Sequence, residues 1–185
     1  MDFQPDRDLL RYWRRDSGCL LDAVNLLNPK LLTHRHAILF FDYHGSGTKD
    51  PSSIIARSIE KRLEQSGWVD GSATVVVFDS ELETWIWSGS PHVADVLGWS
   101  EDREALREFL VKAELWRSTD CKPHNPKAAM KIALQNKGKP GSAILFSELA
   151  GKVSLNGCTD IAFKKFVDAL RKWFPPAVSN PVPDQ

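Results

Sequence analysis

Long apolar runs are missing from this chain of 185 residues: the longest, Ala37 to Phe41, has five. A helical membrane span needs about 20, so no membrane partner is expected. The start, Met1-Asp2-Phe3-Gln4-Pro5-Asp6, lacks the basic stretch and apolar run of a secretory signal. Cysteine is scarce: Cys19, Cys121 and Cys158 are odd in number, widely spaced and without a Cys-x-x-Cys pair. That argues against a disulfide framework and points to a reducing, cytoplasmic setting. Net charge is lacking too, with 24 Lys and Arg facing 24 Asp and Glu. The balance excludes a histone-like basic protein and an acidic disordered chain. What is present is 42% hydrophobic residues and seven tryptophans, enough at this length for one buried core.

The neutral total conceals a split. Residues 1–121 carry 14 Lys and Arg against 20 Asp and Glu, a balance of −6. Residues 122–174 carry 10 against 3, a balance of +7. A polyanion could sit at the basic end or a cation at the acidic end; solvated helical faces of uneven sign are the plainer reading.

The pattern predicts a single α/β domain over residues 1–174: N-terminal helices in 1–35, a strand–helix–strand core in 36–99 and a helical part in 100–174. Short helices are expected over Asp6–Arg15 and, after a break at Ser17-Gly18, through Leu20, Leu21, Val24 and Leu27. His36–Phe41 and Ala73–Phe78 read as strands buried on both faces. Between them runs a helix with Ile55, Ile59 and Leu63 inside and Gly67 as its stop. Strand, helix and strand make one right-handed crossover, so the strands should be parallel neighbours. Further helices are expected at Ser90–Leu97, Glu104–Leu115, Asn125–Asn136 and Ser142–Ala150, the last closed by Gly151. Thr159-Asp160 caps a final helix striped by Phe163, Phe166, Val167, Leu170, Trp173 and Phe174. The tail, 175–185, has four prolines in eleven residues and is expected to be disordered. Two parallel strands make a narrow sheet, so further strands are expected from Ser142–Phe146, from a partner chain or from a segment upstream of Met1.

Asp42 and Asp79 each follow a strand, at the edge where open α/β sheets bind ligands. Strands lie about 4.8 Å apart, so two carboxylates there can share a hard cation such as Mg²⁺. Glu81 and Glu83 follow closely and could complete an oxygen shell. Asp42, Asp79, Glu81 and Glu83 are therefore the candidate catalytic acids, with Asp42, Asp79 and Glu81 as metal ligands. The competing reading is local: Ser80 and Glu83 form a capping-box pattern, and an aspartate at a strand end often caps a turn. Gly45-Ser46-Gly47-Thr48-Lys49 offers a phosphate-cradle reading for Ser46, but it matches neither the P-loop nor the dinucleotide fingerprint. His44 is a candidate base or phosphate contact beside it. Lys127 and Lys131 of the basic third are candidate contacts to nucleic-acid phosphates. Cys121 and His124 lack the second pair a zinc site needs. Trp85, Trp87 and Trp99 belong to a core or to a subunit interface; Leu82, Trp85 and Ile86 share a helical face, with Trp87 pointing elsewhere.

Phe41-Asp42-Tyr43-His44-Gly45-Ser46-Gly47 and Val77-Phe78-Asp79-Ser80-Glu81-Leu82-Glu83-Thr84-Trp85-Ile86-Trp87-Ser88 together resemble a group of bacterial anti-phage defence proteins, including those of methylation-associated defence systems. Ser90-Pro91-His92-Val93, Leu97-Gly98-Trp99 and Cys158-Thr159-Asp160 extend the resemblance over residues 36–174. That group is more distantly similar to Toprim-like proteins, in which acids at strand ends hold Mg²⁺ for phosphodiester chemistry. The resemblance implies Asp42, Asp79 and Glu81 or Glu83 as the acidic set. It also implies a glutamate on an earlier strand, whereas glutamate is absent here before Glu60. Two functions follow as expectations. One is a non-catalytic, degenerate Toprim-like interaction subunit, partnered by other defence subunits or a second copy. The other is a Mg²⁺-dependent nuclease whose basic third contacts nucleic acid.

Overall fold

The structure is a computed structural model describing residues 3–12, 16–79, 82–87, 89–99 and 103–176. The fold is α/β, a small parallel sheet with helices around it. The chain groups into two compact units: residues 1–41, 45–77 and 164–185 in the first, 42–44 and 78–163 in the second. Among the described residues no helix is long and apolar enough to cross a membrane.

In the first unit, α1 (Pro5–Asp8) is a single turn. The longer helix expected over Asp6–Arg15 does not continue, since Leu9 is already extended; residues 13–15 lie outside the description. Asp8 accepts the Gln4 N–H at 2.7 Å and ties back to His34, which closes the turn on itself. By contrast α2 (Asp16–Leu27) starts earlier than expected and runs through Ser17-Gly18. Glycine costs little in a first turn, and the buried face at Cys19, Ala23 and Leu27 fixes the helix at i, i+4, i+8.

β1 (Ala37–Asp42) and β2 (Ala73–Phe78) are joined by α3 (Ser52–Gln65), whose Ile55, Ala56, Ile59 and Leu63 are buried. The α3 terminus is as expected: Gly67 takes φ +117°, and the Trp68 N–H reaches the Leu63 carbonyl at 3.1 Å. The Ala37 N–H donates to the Ser72 carbonyl at 3.1 Å, so Ala37 stands level with Ala73, and Asp42 with Phe78. That register leaves the odd residues of β2 with main-chain groups turned to an open edge. Glu60 covers it: one carboxylate oxygen accepts from the Val75 N–H at 2.8 Å and the Thr74 hydroxyl at 3.2 Å. Lys165 of α9 (Ile161–Trp173) pairs with the same oxygen at 2.6 Å. A buried edge amide is thus satisfied by a charged acceptor instead of a third strand. Ser142–Phe146 adds no strand; it is helical.

Further down α9, Phe166 meets Phe40 edge to face at 5.3 Å. Trp173 stacks on His36 at 4.5 Å and donates its indole N–H to the Gly71 carbonyl at 2.8 Å. The apolar stripe read from the sequence is therefore the packing face. From residue 177 the proline-rich tail lies outside the described residues.

The second unit is helical: α4 (Glu83–Ile86), α5 (His92–Val96), α6 (Arg103–Lys112), α7 (Pro126–Asn136) and α8 (Ala143–Lys152). Three starts are capped by side chains. Asn125, Ser142 and Asp160 accept the N–H groups of Ala128, Leu145 and Phe163 at 3.1, 3.2 and 3.0 Å. α8 passes through Gly151, expected to end it, to Lys152, which pairs with Glu148 at i, i+4. The core joins Trp87, Trp99, Leu97, Leu110, Met130 and Leu149, among others.

The tryptophan segment departs from its expected phase. Leu82 is half exposed, while Trp87, expected to point away, is buried at 5%. The reason is that α4 is one turn long. Trp87 leaves helical geometry at ψ +37°, and its indole swings inward to donate to the Pro126 carbonyl at 3.1 Å. Trp99 donates to the Ala133 carbonyl at 3.3 Å. These indoles are core.

Candidate functional site

The expected acids occupy the end of β1 and the segment after β2. Asp42 is the last residue of its strand, half-buried, rather than the first beyond it. Asp79 is exposed, one step past Phe78, which is itself level with Asp42. Side chains alternate along paired strands, so Asp42 shares its face with Phe78, and the next position falls to the other face. Strand pairing alone therefore does not turn the two carboxylates to one side. Glu81 lies outside the described residues, as does Ser80. Leu82 occupies the N-cap position of α4, and no side chain among the described residues caps that helix; the Ser80 half of the capping-box pattern lies outside them. Among the described residues no group of three or more His, Cys, Asp or Glu is placed to hold a metal ion.

The glycine loop is a turn. Gly47 takes the left-handed φ of +79°, and Ser46 is buried at 2%, where a phosphate in solution does not reach its hydroxyl. α3 starts five residues later, at Ser52, behind Pro51. The loop thus lacks the adjoining helix amides that a phosphate cradle requires. His44 is exposed, on a 3₁₀ turn over Tyr43–Gly45, with its ring near that of Tyr43.

A different set of expected residues does converge. Glu83, Lys127 and Lys131 line an open cleft of about 440 Å³ in the second unit, together with Met130, Leu134, Gln135, Lys139 and Phe146. The arrangement follows from α7. Lys127, Lys131 and Gln135 recur at i, i+4, i+8, so they form one polar ridge. Met130 and Leu134, one position behind Lys131 and Gln135, are buried at its foot. Gly138 takes φ +63° after α7, and the chain turns through Lys139-Pro140-Gly141 into α8, which brings Phe146 to the cleft. Lys139 is tethered, its ammonium donating to the Val96 carbonyl at 3.0 Å. Lys131 is exposed and has no ion pair among the described residues. Among the described lining residues three ammonium groups stand with one carboxylate over an apolar floor, an arrangement suited to an anion with an apolar part.

Lys127 and Lys131 were legible as a helical pair in the basic third. Phe146 was not: it stands 15 residues from Lys131, and only the turn between α7 and α8 brings them to one cleft. No family model matches the chain, and neither a curated protein nor a solved structure is similar to it.

Proposed function

We propose that this chain is a non-catalytic interaction subunit, of the anti-phage defence kind its motifs resemble, that holds a polyanionic partner on the α7 cleft. The observation that carries this reading is the lysine ridge of Lys127 and Lys131 above the buried Met130 and Leu134. Phosphates or carboxylates would meet the ridge, and the apolar floor would cover what they are attached to. The charge balance of +7 over residues 122–174 adds long-range attraction to the same partner. A cytoplasmic setting belongs to the same proposal.

The test is retention on heparin and binding of a labelled duplex by the full chain and by Lys127→Glu/Lys131→Glu. Both lysines are exposed, and circular dichroism and the melting temperature check that the double variant keeps the fold. Salt-sensitive retention that the charge reversal abolishes supports the reading. Retention unchanged by the reversal contradicts it. So does Mg²⁺- or Mn²⁺-dependent cleavage of nucleic acid that Asp42→Ala or Asp79→Ala removes, the result expected of the nuclease alternative.

A further inference from the structure

Resting on that reading, we infer that the partner of the α7 cleft is single-stranded nucleic acid, one base stacking on Phe146 while flanking phosphates meet Lys127 and Lys131. A polyanion site made only for charge has no use for an apolar wall. Here Phe146 is 43% exposed, lines the cleft and makes no ring contact among the described residues. Other aromatic side chains of the second unit behave differently. Trp87 meets Trp116 at 5.5 Å, Trp99 meets Phe109 at 5.1 Å, and Trp85 lies between Phe78 and Phe163 at 4.9 and 5.0 Å. Phe146 is an aromatic face left for a ligand.

The volume is that of one base and its sugar rather than a helix: pockets of about 300 to 1,000 Å³ take single small molecules. A base inside a duplex has both faces covered by its neighbours, so a stacking site selects unpaired strands. Lys127 and Lys131 lie one helical turn apart, about 6 Å between their Cβ atoms, which sets two cations along one strand. Glu83 and Gln135 in the lining supply an acceptor and an amide toward base edges. Glu83 also disfavours a ligand that is anionic throughout, such as an acidic peptide, beside the ring.

The experiment is fluorescence anisotropy of the full chain with labelled oligo-dT, oligo-U and a duplex of equal length. Wild type is compared with Phe146→Ala, Phe146→Tyr and Lys131→Glu, each checked by circular dichroism. The expected result is preference for both single strands over duplex, with Phe146→Ala weakening single-strand binding about tenfold at unchanged salt dependence. Phe146→Tyr restores it, and Lys131→Glu lowers the salt slope. Equal affinity for duplex and single strands, unaffected by Phe146→Ala, overturns the inference while the polyanion reading stands. Failure of every nucleic acid to bind in a charge-dependent way overturns the inference, and with no salt-sensitive heparin retention it overturns both.

Discussion

The two units differ in how completely they pair their buried polar groups. In the second, each described tryptophan hands its indole N–H to an oxygen: Trp85 to Asp160, Trp87 to Pro126, Trp99 to Ala133 and Trp116 to Asp120. In the first, Trp173 does the same toward Gly71, but the Trp68 indole nitrogen, the His36 Nδ1 and the Ser72 hydroxyl are buried with no hydrogen-bond partner among the described residues. The three unpartnered groups flank the strand pair, Trp68 and Ser72 ahead of β2 and His36 ahead of β1. The edge of that pair is satisfied by a charged side chain, Glu60 for Val75.

The widest separation between the units comes from the helical core. Leu110 is fully buried in the second unit, and Leu110→Ala is expected to lower stability by about 2 to 5 kcal/mol in denaturant unfolding. Glu60→Ala follows in size. It strands the Val75 N–H, the Thr74 hydroxyl and the Lys165 ammonium together, with an expected loss of about 1 to 3 kcal/mol. Glu60→Gln keeps an acceptor and loses less. A third comparison applies one substitution in both units. Trp99→Phe removes a satisfied donor and leaves the Ala133 carbonyl unmet, while Trp68→Phe removes a donor that had no partner. Trp99→Phe should cost more by about 1 kcal/mol; equal losses would dissolve the distinction.

The smallest effect is a pH dependence. Burial holds the His36 imidazole below its ordinary value, opposed by the Ser72 main chain and assisted by nearby Arg35. The unfolded chain therefore takes up this proton at higher pH than the folded one. The contribution to stability is present above about pH 6.5 and is lost as pH falls through the lower, folded value. His36→Phe keeps the stack on Trp173 and should flatten stability between pH 7 and pH 5, relative to wild type. A chain whose stability is already flat there would contradict the assignment.

Much of the architecture was legible in the residues. The β-branched run Ala73–Phe78 is a strand from end to end, and Asn125-Pro126 and Thr159-Asp160 mark where α7 and α9 begin. What was not legible depends on tertiary placement. Ser17-Gly18 reads as a break but lies in a helix held by Cys19, Ala23 and Leu27. Trp87 has the wrong helical phase because α4 stops one residue before it. At the site, strand-end acids invite pairing, yet register is a property of two strands together and is invisible in either alone. The lysine ridge is local to α7 and was readable; its aromatic wall comes from α8.

The central claim is that α7 offers a strand-binding cleft that works through charge and stacking without a metal. The most direct measurement is an oligo-dT titration of the full chain in EDTA between about 50 and about 200 mM salt. Two phosphate contacts predict a logarithmic slope of about −1.4, or about sevenfold weaker binding over that range. Lys127→Glu/Lys131→Glu should remove the binding. Affinity that appears only when Mg²⁺ is added, or that survives both charge reversals unchanged, would contradict the account.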